Sequence, residues 1–190
     1  MIGISGAGGS EAATANRAGA GRDEKSSRWI RIGWASDTVL GSRHGVPPHG
    51  GRDLLAAMRP TLRRPDVMIG NLEGTIGAAG LPKCPSGTPN CFAFQAPPIA
   101  ARTLAWAGFD VMNLANNHAN DYGTAGLART TQYLKAAGLL HTGLGAEITI
   151  LRRQAISVAI VGFAPYPWAG RLDNIPAATA LVRRAPPRPM

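Results

Sequence analysis

Ala107-Gly108-Phe109-Asp110-Val111-Met112-Asn113-Leu114-Ala115-Asn116-Asn117-His118 is the stretch that decides how this sequence reads. Gly108 is placed to close a helix, because glycine enters the left-handed region at helix ends without steric cost. The run from Phe109 to Leu114, carrying Val111, Met112 and Leu114, then reads as a short buried strand of the parallel type. It empties into Asn116, Asn117 and His118, three consecutive hydrogen-bonding side chains at a strand exit. In an open parallel sheet, function collects beyond the carboxyl ends of the strands.

Working outward, the same pattern recurs. Upstream, Val67-Met68-Ile69 is a second buried run ending at Asn71-Leu72-Glu73. Further back, Ile30, Ile32 and Trp34 alternate with Arg31 and Gly33, which predicts a first strand ending near Asp37. Leu54, Leu55, Met58 and Leu62 recur at helical spacing after Gly51, and Pro65 stops the run. Gly74 to Phe94 reads as a loop, a lid or a rim. Pro97 and Pro98 sit where a helix opens, with Ile99, Leu104 and Ala107 on its apolar face. Downstream, Thr124 to Ala137 fits another helix ended by Gly138. Glu147 to Leu151 and Ala155 to Phe163 read as a hairpin turning at Arg152-Arg153-Gln154. Asp173 or Asn174 is placed to cap a last helix with Pro176 in its first turn. This alternation predicts an α/β domain over residues 29–182, between a Gly-, Ala- and Ser-rich leader (1–28) and a Pro- and Arg-rich tail (183–190). A further strand is expected where the tail begins, so the domain reads as cut short at its C-terminus.

Three polar clusters fall at strand ends: Asp37, then Asn71 and Glu73, then Asn116, Asn117 and His118. Two carboxylates, an amide oxygen and an imidazole in one cleft suit a divalent ion such as Mg, Mn, Fe or Zn. Such an ion would polarise a phosphoryl or carbonyl oxygen, and His118 would donate a proton to the leaving group, since histidine ordinarily titrates near physiological pH. Each residue also has a plainer reading. Asp37 closes a turn before Gly41, Asn71 is a turn residue, and Glu73 is a solvated loop carboxylate. Helix capping is the plainer role for the Asn-Asn-His trio, although three such side chains exceed what a cap requires. Asp121 is the better cap, and Tyr122 packs. His44, His49 and His141 read as surface residues.

The 190 residues are 45% hydrophobic and 16% charged, a globular balance, with a formal charge of +9. The basic residues are scattered, with no long run and no aromatic interleaving, which argues against a nucleic-acid platform. An anionic polymer or an acidic membrane face would still be attracted. No stretch approaches the roughly 18 apolar residues of a membrane span. The first 28 residues lack the tripartite pattern of a secretory signal. Cys84 and Cys91 bracket a turn-rich segment and are spaced to close a small disulfide loop in an oxidising compartment.

At these motifs the sequence resembles the poly-gamma-glutamate capsule-synthesis (CapA-like) family, whose fold is related to the calcineurin-like metallophosphoesterases. The resemblance runs from about Ile30 to Val182. It is carried by Ser36-Asp37-Thr38-Val39-Leu40-Gly41, where the family usually has Gly before the Asp, by Gly70-Asn71-Leu72-Glu73-Gly74, and by the opening stretch continued through Asp121-Tyr122-Gly123 and Gly126-Leu127. It implies a metallophosphoesterase-like layered fold, with Asp37 as the first-strand metal ligand, Glu73 at the bridging-carboxylate position, Asn117 as an amide ligand and His118 as the acid. It also implies an anionic capsule polymer or a phosphate-containing substrate, at the cell envelope. The family's later His-containing motifs are not found in this sequence. Three functions therefore stand side by side: a metal-dependent hydrolase-like domain, a non-catalytic polymer-binding fragment, and a general metallophosphoesterase.

Overall fold

Apolar runs flanked by helices place their strands side by side, and the three runs read from the sequence form one parallel sheet with a fourth short strand, Leu140–Thr142. The computed structural model describes residues 29–41, 47–85 and 87–185. In chain order they form β1 (Ile32–Thr38), a 3-10 turn (Pro48–Gly51), α1 (Arg52–Ala56), α2 (Arg59–Leu62), β2 (Val67–Leu72), β3 (Thr75–Ile76), β4 (Gln95–Ala96), α3 (Ile99–Ala107) and β5 (Val111–Asn113). There follow α4 (Gly123–Ala136), β6 (Leu140–Thr142), β7 (Thr149–Arg153), β8 (Ile156–Ile160), β9 (Phe163–Ala164), β10 (Gly170–Arg171) and α5 (Ile175–Arg184). The main sheet has the order β1-β2-β5-β6, every neighbouring pair parallel. This is the α/β class that the alternation predicts.

Alternation along β2 divides the core. Met68 and Leu72 face a helical layer in which Leu104 and Ala107 of α3 and Leu134 of α4 are buried. Val67 and Ile69, with Val111 of β5, face the β7–β8 hairpin through Leu151 and Ile160. Gly70 is required between them, because a Cβ there would lie 2.6 Å from the Phe109 ring. The hairpin covers only part of its face. In register, Ile32 pairs with Val67 and Trp34 with Ile69, yet Ile32 and Trp34 are exposed because the cover stops short of the edge strand. The period-2 signal in β1 is real, but its apolar side looks outward.

Other differences are local. The single helix expected after Gly51 is broken into α1 and α2, with Pro60 in the first turn of α2, where its missing N–H costs nothing. The hairpin strands run through Arg153, so the turn falls at Gln154, whose φ is 55°. Gly108 closes α3 with a φ of 123°, and the Asn174 side chain caps α5 by accepting from the Ala177 N–H. Arg183 and Arg184 complete α5 instead of opening a tail. The leader (1–28), His44 and residues 186–190 lie outside the described residues. No described helix is long and apolar enough to cross a membrane.

Candidate functional site

The carboxyl ends of β1, β2 and β5 bring the strand-end clusters together. In β1 the register slips between Ala35 and Asp37, so that Asp37 pairs with Asn71. Such an irregularity re-aims a side chain. Gly41, just beyond, lets the exit of β1 press against β4, since a Cβ there would sit 2.3 Å from the Gln95 carbonyl oxygen.

Asn71 is the hub. Its amide nitrogen donates to Asp37 Oδ1 and to Glu73 Oε2, both at 2.8 Å. Its amide oxygen accepts from Asn113 Nδ2 at 2.8 Å and from Asn116 Nδ2 at 3.0 Å. All four hydrogen-bonding positions of the side chain are thus used, and the two carboxylates fix which end of the amide is nitrogen. A turn residue has no need of such a network. Asn116 is buried, donates also to the Leu72 carbonyl at 2.9 Å, and accepts from the His118 N–H at 2.9 Å, which turns the chain toward the site.

His118 stands between two carboxylate environments. Its Nδ1 is 2.8 Å from Asp121 Oδ2 and its Nε2 is 3.7 Å from Glu73 Oε1. The Phe94 ring lies 4.6 Å from the imidazole, centroid to centroid. Glu73 is pushed above the ordinary glutamate range, first by burial and then by the charge of Asp37; attraction to His118 and the Asn71 hydrogen bond oppose this, and Asp121 adds a smaller push.

Asp121 does not cap α4. The residue at that boundary is Tyr122, with no side-chain cap hydrogen bond, while Asp121 is completely buried and accepts from the Phe94 N–H at 2.6 Å. Asn117 is exposed, and its carbonyl accepts from Lys83 Nζ at 3.1 Å. The amide that enters the network is that of Asn116. Asn113 and Lys83 are the residues that sequence reasoning missed. An asparagine inside an otherwise apolar strand was the available signal for the first; nothing in the sequence marked the second. Cys84 and Cys91 form the expected disulfide. His141 is half-buried on β6 and pairs with Glu147 at 3.0 Å, so it is not a free surface residue, whereas His49 is exposed and meets Asp53.

As donors, Asp37, Glu73 and His118 suit a hard or borderline cation, and the raised Glu73 fits a place where one would be welcome. Among the described residues no three His, Cys, Asp or Glu side chains form a group able to hold a metal ion.

The family described as bacterial capsule synthesis protein PGA_cap matches residues 12–180. An uncharacterized protein, y4sH, of Sinorhizobium fredii is 34% identical over 123 residues, covering 63% of this chain and 24% of its own. A probable polyglutamine synthesis accessory protein of Mycobacterium tuberculosis is 34% identical over 122 residues, 57% of this chain and 31% of that protein. The capsule biosynthesis protein CapA of Bacillus anthracis is 29% identical over 119 residues, 60% of this chain and 29% of that protein. The match thus spans about a quarter to a third of the length of these relatives.

Proposed function

This chain belongs to the bacterial capsule synthesis protein family PGA_cap, and on that premise we propose that its strand-end cleft holds a divalent metal ion and serves hydrolase-like chemistry on an anionic cell-envelope polymer. One observation carries the reading: Asp37 and Glu73, from two different strand ends, share a single Asn71 amide, with His118 from a third beside them. Two carboxylates held against one amide nitrogen, Glu73 half-buried and Asp37 exposed, favour a cation beside them. When bound, a divalent ion of the Mg, Mn, Fe or Zn kind polarises a phosphoryl or carbonyl oxygen and makes bound water more acidic.

The chain's own residues supply the rest. Asn71 aims both carboxylates, and its own orientation is fixed by Asn113 and Asn116. Asp121 anchors His118 through Nδ1, which leaves Nε2 on the Glu73 side to give a proton to a leaving group when both ring nitrogens are protonated. Phe94 shields one face of the imidazole. The formal charge of +9 favours a polyanionic substrate. The names of the Bacillus and Mycobacterium relatives, capsule biosynthesis and polyglutamine synthesis, agree with a polymer as the object of the chemistry, although polyglutamine itself is uncharged.

A second reading, polymer binding without turnover, is favoured by the lack of a three-residue metal group among the described residues. Cleavage of a chromogenic phosphodiester with and without each metal separates the two. The hydrolase reading expects metal-stimulated cleavage that is abolished by Asp37→Ala and by His118→Ala. Binding of poly-gamma-glutamate with no metal-stimulated cleavage would leave the binding module. Equal turnover of small phosphate esters with no affinity for the polymer would point to a general metallophosphoesterase.

A further inference from the structure

We propose that Lys83, carried on the Cys84–Cys91 disulfide loop, is a positioning residue for His118, acting through Asp121. The proposal deepens the reading of His118 as proton donor and rests on that reading for its catalytic consequence. The geometry is independent of it.

Asp121 has no exposed side-chain surface. Its Oδ2 accepts from the Phe94 N–H and faces His118 Nδ1. Its Oδ1 makes no directional hydrogen bond and is met instead by the Lys83 ammonium at 2.6 Å. One oxygen of a fully buried carboxylate thus relies on a single cation. An unpaired charge in such a place is costly, so the carboxylate stays where Lys83 holds it, and the imidazole stays where the carboxylate holds it. Lys83 is pinned in turn: its backbone N–H donates to the Asp121 carbonyl at 2.7 Å and its Nζ donates to the Asn117 carbonyl.

The disulfide explains why so long a loop delivers both partners. Lys83 immediately precedes Cys84, and Phe94 lies three residues beyond Cys91. The Cys84–Cys91 bond therefore ties the two chain segments that grip Asp121 into one unit. Without it, Lys83 and Phe94 sit on separate arms of a loop with more freedom to give up. Oxidation of this one bond becomes a condition for the orientation of His118.

The test reads the His118 ring directly, by nitrogen and proton NMR of the whole chain at about pH 8, where histidine is ordinarily neutral. In the oxidised protein the expectation is one tautomer, with the proton on Nδ1, and ring protons displaced by the Phe94 ring current. Reduction with a dithiol breaks the S–S bond with two electrons and two protons, leaving two thiols and the cyclic disulfide of the reagent. Loss of the single tautomer and of the ring-current shift on reduction, and likewise in Lys83→Met, with recovery in Lys83→Arg, is the expected result. Unchanged His118 signals in folded Lys83→Met overturn the proposal. Should Lys83→Met fail to fold, reduced wild type and Cys84→Ser/Cys91→Ser decide in its place, and unchanged signals there overturn it equally. An intact NMR response with no metal-stimulated cleavage would sink the hydrolase reading and leave this one standing.

Discussion

The two sides of His118 are built from the same kind of residue and come out differently. On the Nδ1 side, Asp121 is completely buried, and its charge is balanced within the chain by Lys83 and the Phe94 N–H. On the Nε2 side, Glu73 faces Asp37 with only an amide between them, and its carboxyl is pushed up. Burial alone does not separate the two, since the more deeply buried carboxylate is the balanced one. A lysine delivered by a cross-linked loop completes the first side, whereas among the described residues the second pairs two carboxylates with no basic partner but the imidazole. The deficit is local, and it is what the proposed cation on the Glu73 side would answer.

The sharpest way to break this contrast is to unbalance the finished side. Asp121→Ala removes the partner of Lys83, the Phe94 N–H and His118 together, and the expected loss is about 4 kcal/mol of unfolding free energy, in the range for breaking a buried pair. Denaturant unfolding measures it. A loss no larger than that of an exposed substitution would mean that this side is not a closed unit. Asn71→Leu attacks the other side, stranding the Asn113 and Asn116 amides and removing the donor that separates the carboxylates. About 2 kcal/mol is expected, because partners ranging from the buried Asn116 to the exposed Asp37 lose one hydrogen bond each. Added Mn or Mg is expected to restore part of that loss, seen as a rise in the thermal midpoint, and no response would remove the case for a cation at this place.

The contrast also sets how much was readable beforehand. That Asp37, Glu73 and His118 lie together is legible because strand exits are fixed by a βα alternation that the apolar runs display openly, and a parallel sheet must bring those exits to one edge. The convergence follows from topology. What topology does not specify is which neighbouring amide turns inward: the sequence offers Asn116 and Asn117 alike, the resemblance implies Asn117 as the ligand, and the structure turns Asn116 toward Asn71. Asp121 was read as a cap because Asp before a helix usually is one. Its true partners arrive from Lys83 and Phe94, on a loop with no period to betray where it docks. At β1 the alternation was legible, but a period of two names two faces without saying which is covered; that depends on how far the hairpin reaches.

The smallest effect is also the most specific to the Glu73 side. Its carboxyl titrates higher in the folded chain than in the unfolded one, so the native state holds more protons between the two values. Stability from this group is therefore fully present below the ordinary glutamate value and is lost as pH rises through the raised one. Between those limits the unfolding free energy of wild type should fall with rising pH more steeply than that of Glu73→Gln, which has no such proton to release. Denaturant midpoints collected at several pH values for both proteins isolate the difference from every other titrating group. A saturating divalent cation should cancel or reverse that difference, because it favours the ionised carboxylate. Parallel curves for the two proteins without metal would place Glu73 in an ordinary environment, and the asymmetry about His118 would then have no electrostatic basis.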